Sequence, residues 1–170
     1  AHAPLWIEID SPPRSQTRLA APHRGAPASL GRPGEGRKGL RIAVLGYNEF
    51  KPRQFEAGAN QPGIAWSEDS QVVADIRAAR AAGADVVIPF MHWGWEREPD
   101  PTARQRQLAR TLIDAGADAV VGGHPHVTQG AEVYRGKPII YSLGNFVFDG
   151  FELPAAKIGW LLRMDIDKGG

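Results

Sequence analysis

No cysteine occurs in the chain, which excludes disulfide bonds and thiolate metal sites and says little about compartment. No apolar run reaches the roughly 18 residues that a membrane-spanning helix needs. The opening AHAPLWIEID has no basic stretch followed by an apolar one, so no signal peptide is read there. Charge of one sign is also lacking. Twenty basic residues against 19 acidic ones leave a formal net charge of +1, with no global pull toward nucleic acid or a membrane surface. An initiator Met is missing, and the chain opens almost directly into LWIEI, which reads as a fragment with an upstream part absent. What remains is ordinary globular material. A length of 170 residues at 42% hydrophobic suits one domain, or one domain with a flexible segment.

Two stretches then stand out because they read alike. AAGADVVIPFMHWGWE runs from Ala81 to Glu96, and DAGADAVVGGHPHV runs from Asp114 to Val127. Each presents a helix tail, a Gly-Ala-Asp turn, a short apolar strand and then histidine: His92 in the first, His124 and His126 in the second. Their separation is about that of one βαβ unit, roughly 30 residues. Two parallel strands would carry imidazoles at their carboxyl ends, the edge where open α/β sheets bind ligands. Histidine is the commonest metal ligand among side chains, so the spacing predicts a metal site.

Around that pair the chain divides as follows. Leu5 to Ile9 alternates weakly and reads as a strand. Ser11 to Lys38 is rich in Pro, Gly, Ala and Arg and reads as a mobile loop; the functional alternative is a basic arm for an anionic polymer, although no aromatics interleave with the arginines. Arg41 to Tyr47 is a buried strand, and Asn48 to Trp66 an irregular loop. A helix follows, with Ser67 as its N-cap and Gly83 at its end. Asp85 to Phe90 is a strand. A second helix starts at Asp100-Pro101 and closes at Gly116, burying Gln105, Leu108, Ala109, Leu112 and Ile113 and leaving Arg104, Arg106 and Arg110 on a solvated face. Ala119 to Val121 is a strand. Ala131 to Tyr134 and Lys137 to Tyr141 make a hairpin, which Phe146 to Phe148 could extend, and Lys157 to Ile166 is a last strand at a sheet edge. Helices alternating with strands and then strands alone suggest a mixed α/β sandwich.

His124-Pro125-His126 is the sharpest local signal. Residues two apart in an extended segment point the same way, and Pro125 stiffens the link, so the imidazoles could bind one metal or one member each of a pair. The bland alternative is two surface histidines on a Gly-rich turn. His92 ends an apolar run beside Glu96. Glu96 could orient an imidazole, bind metal, act as general acid or base, or pair with Arg97. Trp93 and Trp95 could wall a pocket or pack over the strand ends. Asn145 could reach the site as a metal ligand or substrate contact, or simply form a turn. No carboxylate is clearly nominated as the bridge that two close divalent ions need: Asp85 and Asp118 precede their strands and fall at the far end of the sheet, and Asp149 and Glu152 are possible but unforced.

HWGWE, then GGHPHV, then YRGKPIIYSLGNFVFD resemble the bacterial CapA family of capsule and poly-γ-glutamate synthesis proteins in the metallophosphoesterase (calcineurin-like) superfamily. RIAVLGY, LWIEI, Asp75-Ile76-Arg77 and the run Gln105 to Ala109 add to the match, which is best over 41–149. The resemblance implies an α/β fold, the carboxyl-terminal portion of a four-layer α/β/β/α sandwich, with 11–38 as an insertion and the whole of 1–170 as a partial domain. It implies a dinuclear centre of Mn, Fe or Zn, in which His92 and His124 bind one ion and His126 the other. The family's upstream Asp and Asn-His motifs are absent from this chain, so activity of the chain alone is not expected. The function implied is a metal-dependent phosphoesterase-type hydrolase acting on an anionic polymer or phosphoester in the cell envelope or outside the cytoplasm. The alternative is a non-catalytic envelope component that binds such a polymer or a partner in its synthesis and export.

Overall fold

The computed structural model describes residues 41–58, 62–150 and 152–166. The strand expected over Leu5 to Ile9 and the loop over Ser11 to Lys38 lie outside them. Five strands form one sheet in the order β1-β2-β3-β5-β4. They are β1 (Ile42–Asn48), β2 (Val86–His92), β3 (Val120–Gly123), β4 (Thr128–Tyr134) and β5 (Lys137–Leu143). The first four in spatial order run parallel, and β4 closes the edge antiparallel to β5. Helices α1 (Asp69–Ala81) and α2 (Ala103–Asp114) make the β1-to-β2 and β2-to-β3 crossovers. This is the mixed α/β arrangement expected from the alternation of elements, and it is consistent with a metallophosphoesterase-like fold.

The pattern of each strand decides its neighbours. Ala43, Leu45 and Tyr47 of β1 are buried under the helices with Val72, Ile76, Leu108 and Leu112. Val87 and Met91 of β2, Val120 of β3 and Ile139 and Tyr141 of β5 belong to the same cluster, so both helices cover one face. The other face carries Val86, Ile88, Ala119 and Val121, against which Leu162, Met164 and Ile166 pack. Among the described residues, the edge strand expected over Lys157 to Ile166 does not join the five-stranded sheet. Pro154 to Lys157 coil into a 3-10 turn, and beyond it a bridge joins Gly159 to Gly144. Leu162, Met164 and Ile166 alternate because they are the residues of this segment that pack on the sheet face. Nor does Phe146 to Phe148 extend β5. Gly144 turns the chain at φ 70°, and Phe146 and Val147 are left 87% and 85% exposed.

The repeated Gly-Ala-Asp turns do identical work. Gly83 and Gly116 have positive φ, as expected for glycine just past a helix end. In α1, Gly83 N donates to Arg80 O and Ala84 N to Ala79 O; in α2, Gly116 N donates to Ile113 O and Ala117 N to Leu112 O. These paired bonds close both helices in the same way. Asp85 then accepts from Arg41 N, and Asp118 accepts from Val87 N. Arg80 joins the two turns by donating to Gly116 O, Ala84 O, Asp85 O and the Asp118 carboxylate. Both aspartates therefore sit at the strand entries, opposite the histidine edge.

Helix starts fall later than expected. Asn48 accepts from Ser67 N and donates to Ala65 O, which ties Ser67 to the end of β1, and α1 begins after Glu68 instead. Thr102 caps α2: its side chain accepts from Gln105 N, and the Gln105 side chain accepts from Thr102 N. That reciprocal pair displaces the start from Asp100-Pro101. The apolar face of α2 is buried as expected. Its arginines are not merely solvated. Arg104 pairs with Asp69 and Glu49, Arg110 with Glu132, and the Arg106 guanidinium lies over the Tyr141 ring.

Candidate metal centre

Parallel registry delivers the histidines to one place. His92, the last residue of β2, pairs with Gly123, the last of β3, and with Asn48, the last of β1. His124 follows immediately, so its ring lies 4.4 Å from that of His92 between centroids. His124 and His126 do not lie in an extended segment. Their φ values are 98° and 58°, both in the left-handed half of backbone space that favours glycine. The HPH segment is therefore a tight turn at the strand end, and its rings stand 6.1 Å apart between centroids at a 64° interplanar angle. Non-glycine residues held at such angles cost energy that the surroundings must offset, a pattern that clusters at functional sites.

Glu96 completes the group. One ligand atom from each of Glu96, His124 and His126 lies within 4.8 Å of the others. This grouping unites His124 and His126, which the resemblance assigns to separate ions, and leaves His92 as the neighbour whose ring is tilted 38° against that of His124. The segment carrying Glu96 is fastened to the turn by Arg97 N, which donates to Pro125 O at 2.7 Å.

The electrostatics leave these rings suited to binding. Burial, with the nearby His92, pulls His124 down to about 4, against an opposing pull from Glu96. Burial, with the nearby His126, also lowers His92. Both rings are then neutral near pH 7, the state in which imidazole binds a metal. His124 Nε2 is buried and has no hydrogen-bond partner. A buried imidazole nitrogen without a partner is costly unless something binds it. Two imidazoles and one carboxylate are nitrogen and oxygen donors of the kind that zinc, manganese and iron accept. The residues present fit a divalent ion.

Asn145 is a support for this site. Its amide nitrogen donates to His126 O and Ala156 O, so its Oδ1 faces His126 Nδ1 at 2.7 Å. Both amide hydrogens being directed at carbonyls, Oδ1 accepts from Nδ1–H, and the lone pair of the His126 ring is at Nε2. Trp93 belongs to the core. It is fully buried, its indole nitrogen donating to Tyr141 O, whereas Trp95 is 68% exposed. Two aromatic neighbours escaped sequence reasoning. Phe50 packs 4.3 Å from His124, and Phe148 packs 5.3 Å from His126, between ring centroids. Phe50 lies two residues beyond Asn48, so the β1–β2 register is the signal that could have found it.

Comparison with known proteins agrees with this architecture. Residues 33–150 match the family model of the bacterial capsule synthesis protein PGA_cap. The chain belongs to that family. It is 48% identical over 111 residues to the PGA biosynthesis protein CapA of Bacillus subtilis, covering 65% of this chain and 29% of that protein. It is 42% identical over 118 residues to the capsule biosynthesis protein CapA of Bacillus anthracis, covering 65% of this chain and 28% of that protein. A probable polyglutamine synthesis accessory protein of Mycobacterium tuberculosis is 31% identical over 138 residues, covering 77% of this chain and 35% of that protein. The matches span about a third or less of these relatives' length. The histidine turn and the Glu96 segment both fall inside the family match.

Proposed function

We propose that this chain supplies the histidine side of a divalent-metal centre that hydrolyses a phosphoester or a related bond of an anionic polymer, in a protein serving bacterial capsule or poly-γ-glutamate synthesis at the cell envelope. The observation that carries the reading is the convergence of ligand atoms of Glu96, His124 and His126 within 4.8 Å of one another, with His124 Nε2 buried and without a hydrogen-bond partner. When bound, the ion would supply Lewis-acid activation of water near neutral pH. His124 and His126 would hold it through neutral imidazoles, Glu96 would add the charged oxygen donor, and Asn145 would fix the ring of His126. His92, beside His124, is available to a second ion, whose bridging carboxylate would come from outside the described residues. Phe50 and Phe148 would shield the imidazoles from bulk water.

The capsule and poly-γ-glutamate assignment rests on the names of the Bacillus relatives. The envelope location rests on the same relatives; among the described residues, no helix is long and apolar enough to cross a membrane. Metal analysis of the protein, joined to hydrolysis assays on phosphodiesters and polyglutamate, tests the reading. We expect bound Mn, Fe or Zn, turnover of at least one such substrate, and loss of both in His126→Ala. Bound metal without turnover would favour a non-catalytic, polymer-binding envelope component. Activity that survives His126→Ala would overturn the mechanism.

A further inference from the structure

Trp95 to Asp100 are six consecutive exposed residues, and Glu96 is among them. An exposed carboxylate on irregular backbone would ordinarily wander, and a ligand that wanders binds weakly. Here the backbone is held from below by two buried glutamines. Gln129, in β4 three residues beyond His126, is 0% exposed, and Gln105 of α2 is 1% exposed. The Gln129 amide nitrogen donates to Glu98 O at 2.9 Å and to Asp100 O at 3.3 Å. Both carbonyls belong to residues that precede prolines, Pro99 and Pro101, which restrict those residues to extended conformations. Gln129 Oε1 accepts from Gln105 Nε2 at 2.8 Å, and Gln105 Oε1 accepts from Thr102 N at 2.9 Å.

The direction of this relay is fixed from end to end. Thr102 N can only donate, so Gln105 must turn its oxygen there and its nitrogen to Gln129. Gln129 must then turn its nitrogen to the two carbonyls. Reversing either amide would set like groups against each other. Nothing may intrude at Gly94 either, where a Cβ would lie 2.8 Å from the Gln105 amide. Two amides buried away from water are costly unless bonded, and here every contact is spent on the Glu96 segment or its end at Thr102.

We propose that Gln129, held by Gln105, is a positioning residue that sets the Glu96 carboxylate against His124 and His126. The inference rests on the metal reading above. Its test is a double-mutant cycle on Mn2+ affinity, read by calorimetry and by the Mn2+ electron paramagnetic resonance spectrum, with Glu96→Ala, Gln129→Leu and the double variant. We expect each single variant to weaken Mn2+ binding at least tenfold and the double variant to bind no more weakly than Glu96→Ala. Gln129→Leu that binds Mn2+ like the wild type would overturn the proposal. So would equal weakening by Gln129→Leu with and without Glu96, since the relay would then act by another route. If Gln129→Leu does not fold, as judged by circular dichroism, Gln105→Met takes its place in the same cycle and faces the same outcomes. A wild type that takes up no Mn2+, Zn2+ or Fe2+ would instead overturn the metal reading, and this proposal with it.

Discussion

His124 carries the sharpest consequence of any single residue. Its ring is pushed from the ordinary histidine value of 6.5 to about 4 by burial and by His92. In that window the unfolded chain binds a proton at this position and the folded chain does not. The stability of the folded state therefore rises with pH between about 4 and 6.5, and it is lost as pH falls through that range. His92, lowered as well, adds to the same slope. Urea unfolding in the presence of a chelator should give a lower stability at pH 5 than at pH 7.5. Asn tolerates positive φ, so His124→Asn should keep the turn and flatten this dependence. An unchanged fall in stability in that variant would mean that the ring is solvated and ordinary. The sequence makes the histidines legible because each follows a short apolar strand after a repeated Gly-Ala-Asp turn. It does not make their backbone legible: Pro125 constrains its own φ and says nothing of the left-handed neighbours on either side.

Among the elements, β3 is the least tolerant. Its Gly122 lies where a Cβ would stand 2.1 Å from Tyr141 O and 2.4 Å from Trp93 Nε1. The bond from Trp93 Nε1 to Tyr141 O passes through that space, locking the residue after His92 to β5. Gly122→Ala should break that bond and displace Trp93 from a full core. A loss of about 2–4 kcal/mol in stability is expected, as for other overpacked or disrupted cores. Thermal unfolding checks it, and a loss under about 0.5 kcal/mol would contradict the packing described. The strands and helices of the repeated segment were legible because periodicity and the Gly-Ala-Asp turns agree with one another. The carboxyl-terminal segment was not. Leu162, Met164 and Ile166 alternate whether the chain joins a ladder or lies across a face, and only the tertiary fold separates those outcomes. The α2 arginines escaped for the same reason: their partners Asp69, Glu49 and Glu132 are distant in sequence.

Across the molecule, the two ends of the sheet divide the work. At the strand entries Arg80, Asp85 and Asp118 bind the two crossover units together. At the strand exits the parallel register gathers His92, His124 and the Glu96 segment, and Gln129 and Asn145 brace them from β4 and from the turn after β5. The site was legible as a set of imidazoles at one edge. Its braces were not: Gln105 is legible as part of the buried face of α2, but its partner Gln129 and their joint hold on Glu98 and Asp100 arise only when α2 and β4 are packed together. Among the described residues, the face of the sheet opposite the helices is only partly covered. Ile42, Val44 and Phe90 remain 42%, 43% and 42% exposed there. The central claim concerns the edge of that sheet, where Glu96, His124 and His126 are held to bind one divalent ion. Crystals grown with Mn2+ and measured at the manganese absorption edge test it most directly. An anomalous peak about 2.0–2.3 Å from a carboxylate oxygen of Glu96 and from a ring nitrogen of each of His124 and His126 is the predicted result. The absence of a peak at saturating Mn2+, or a peak ligated without His124 and His126, would contradict the account.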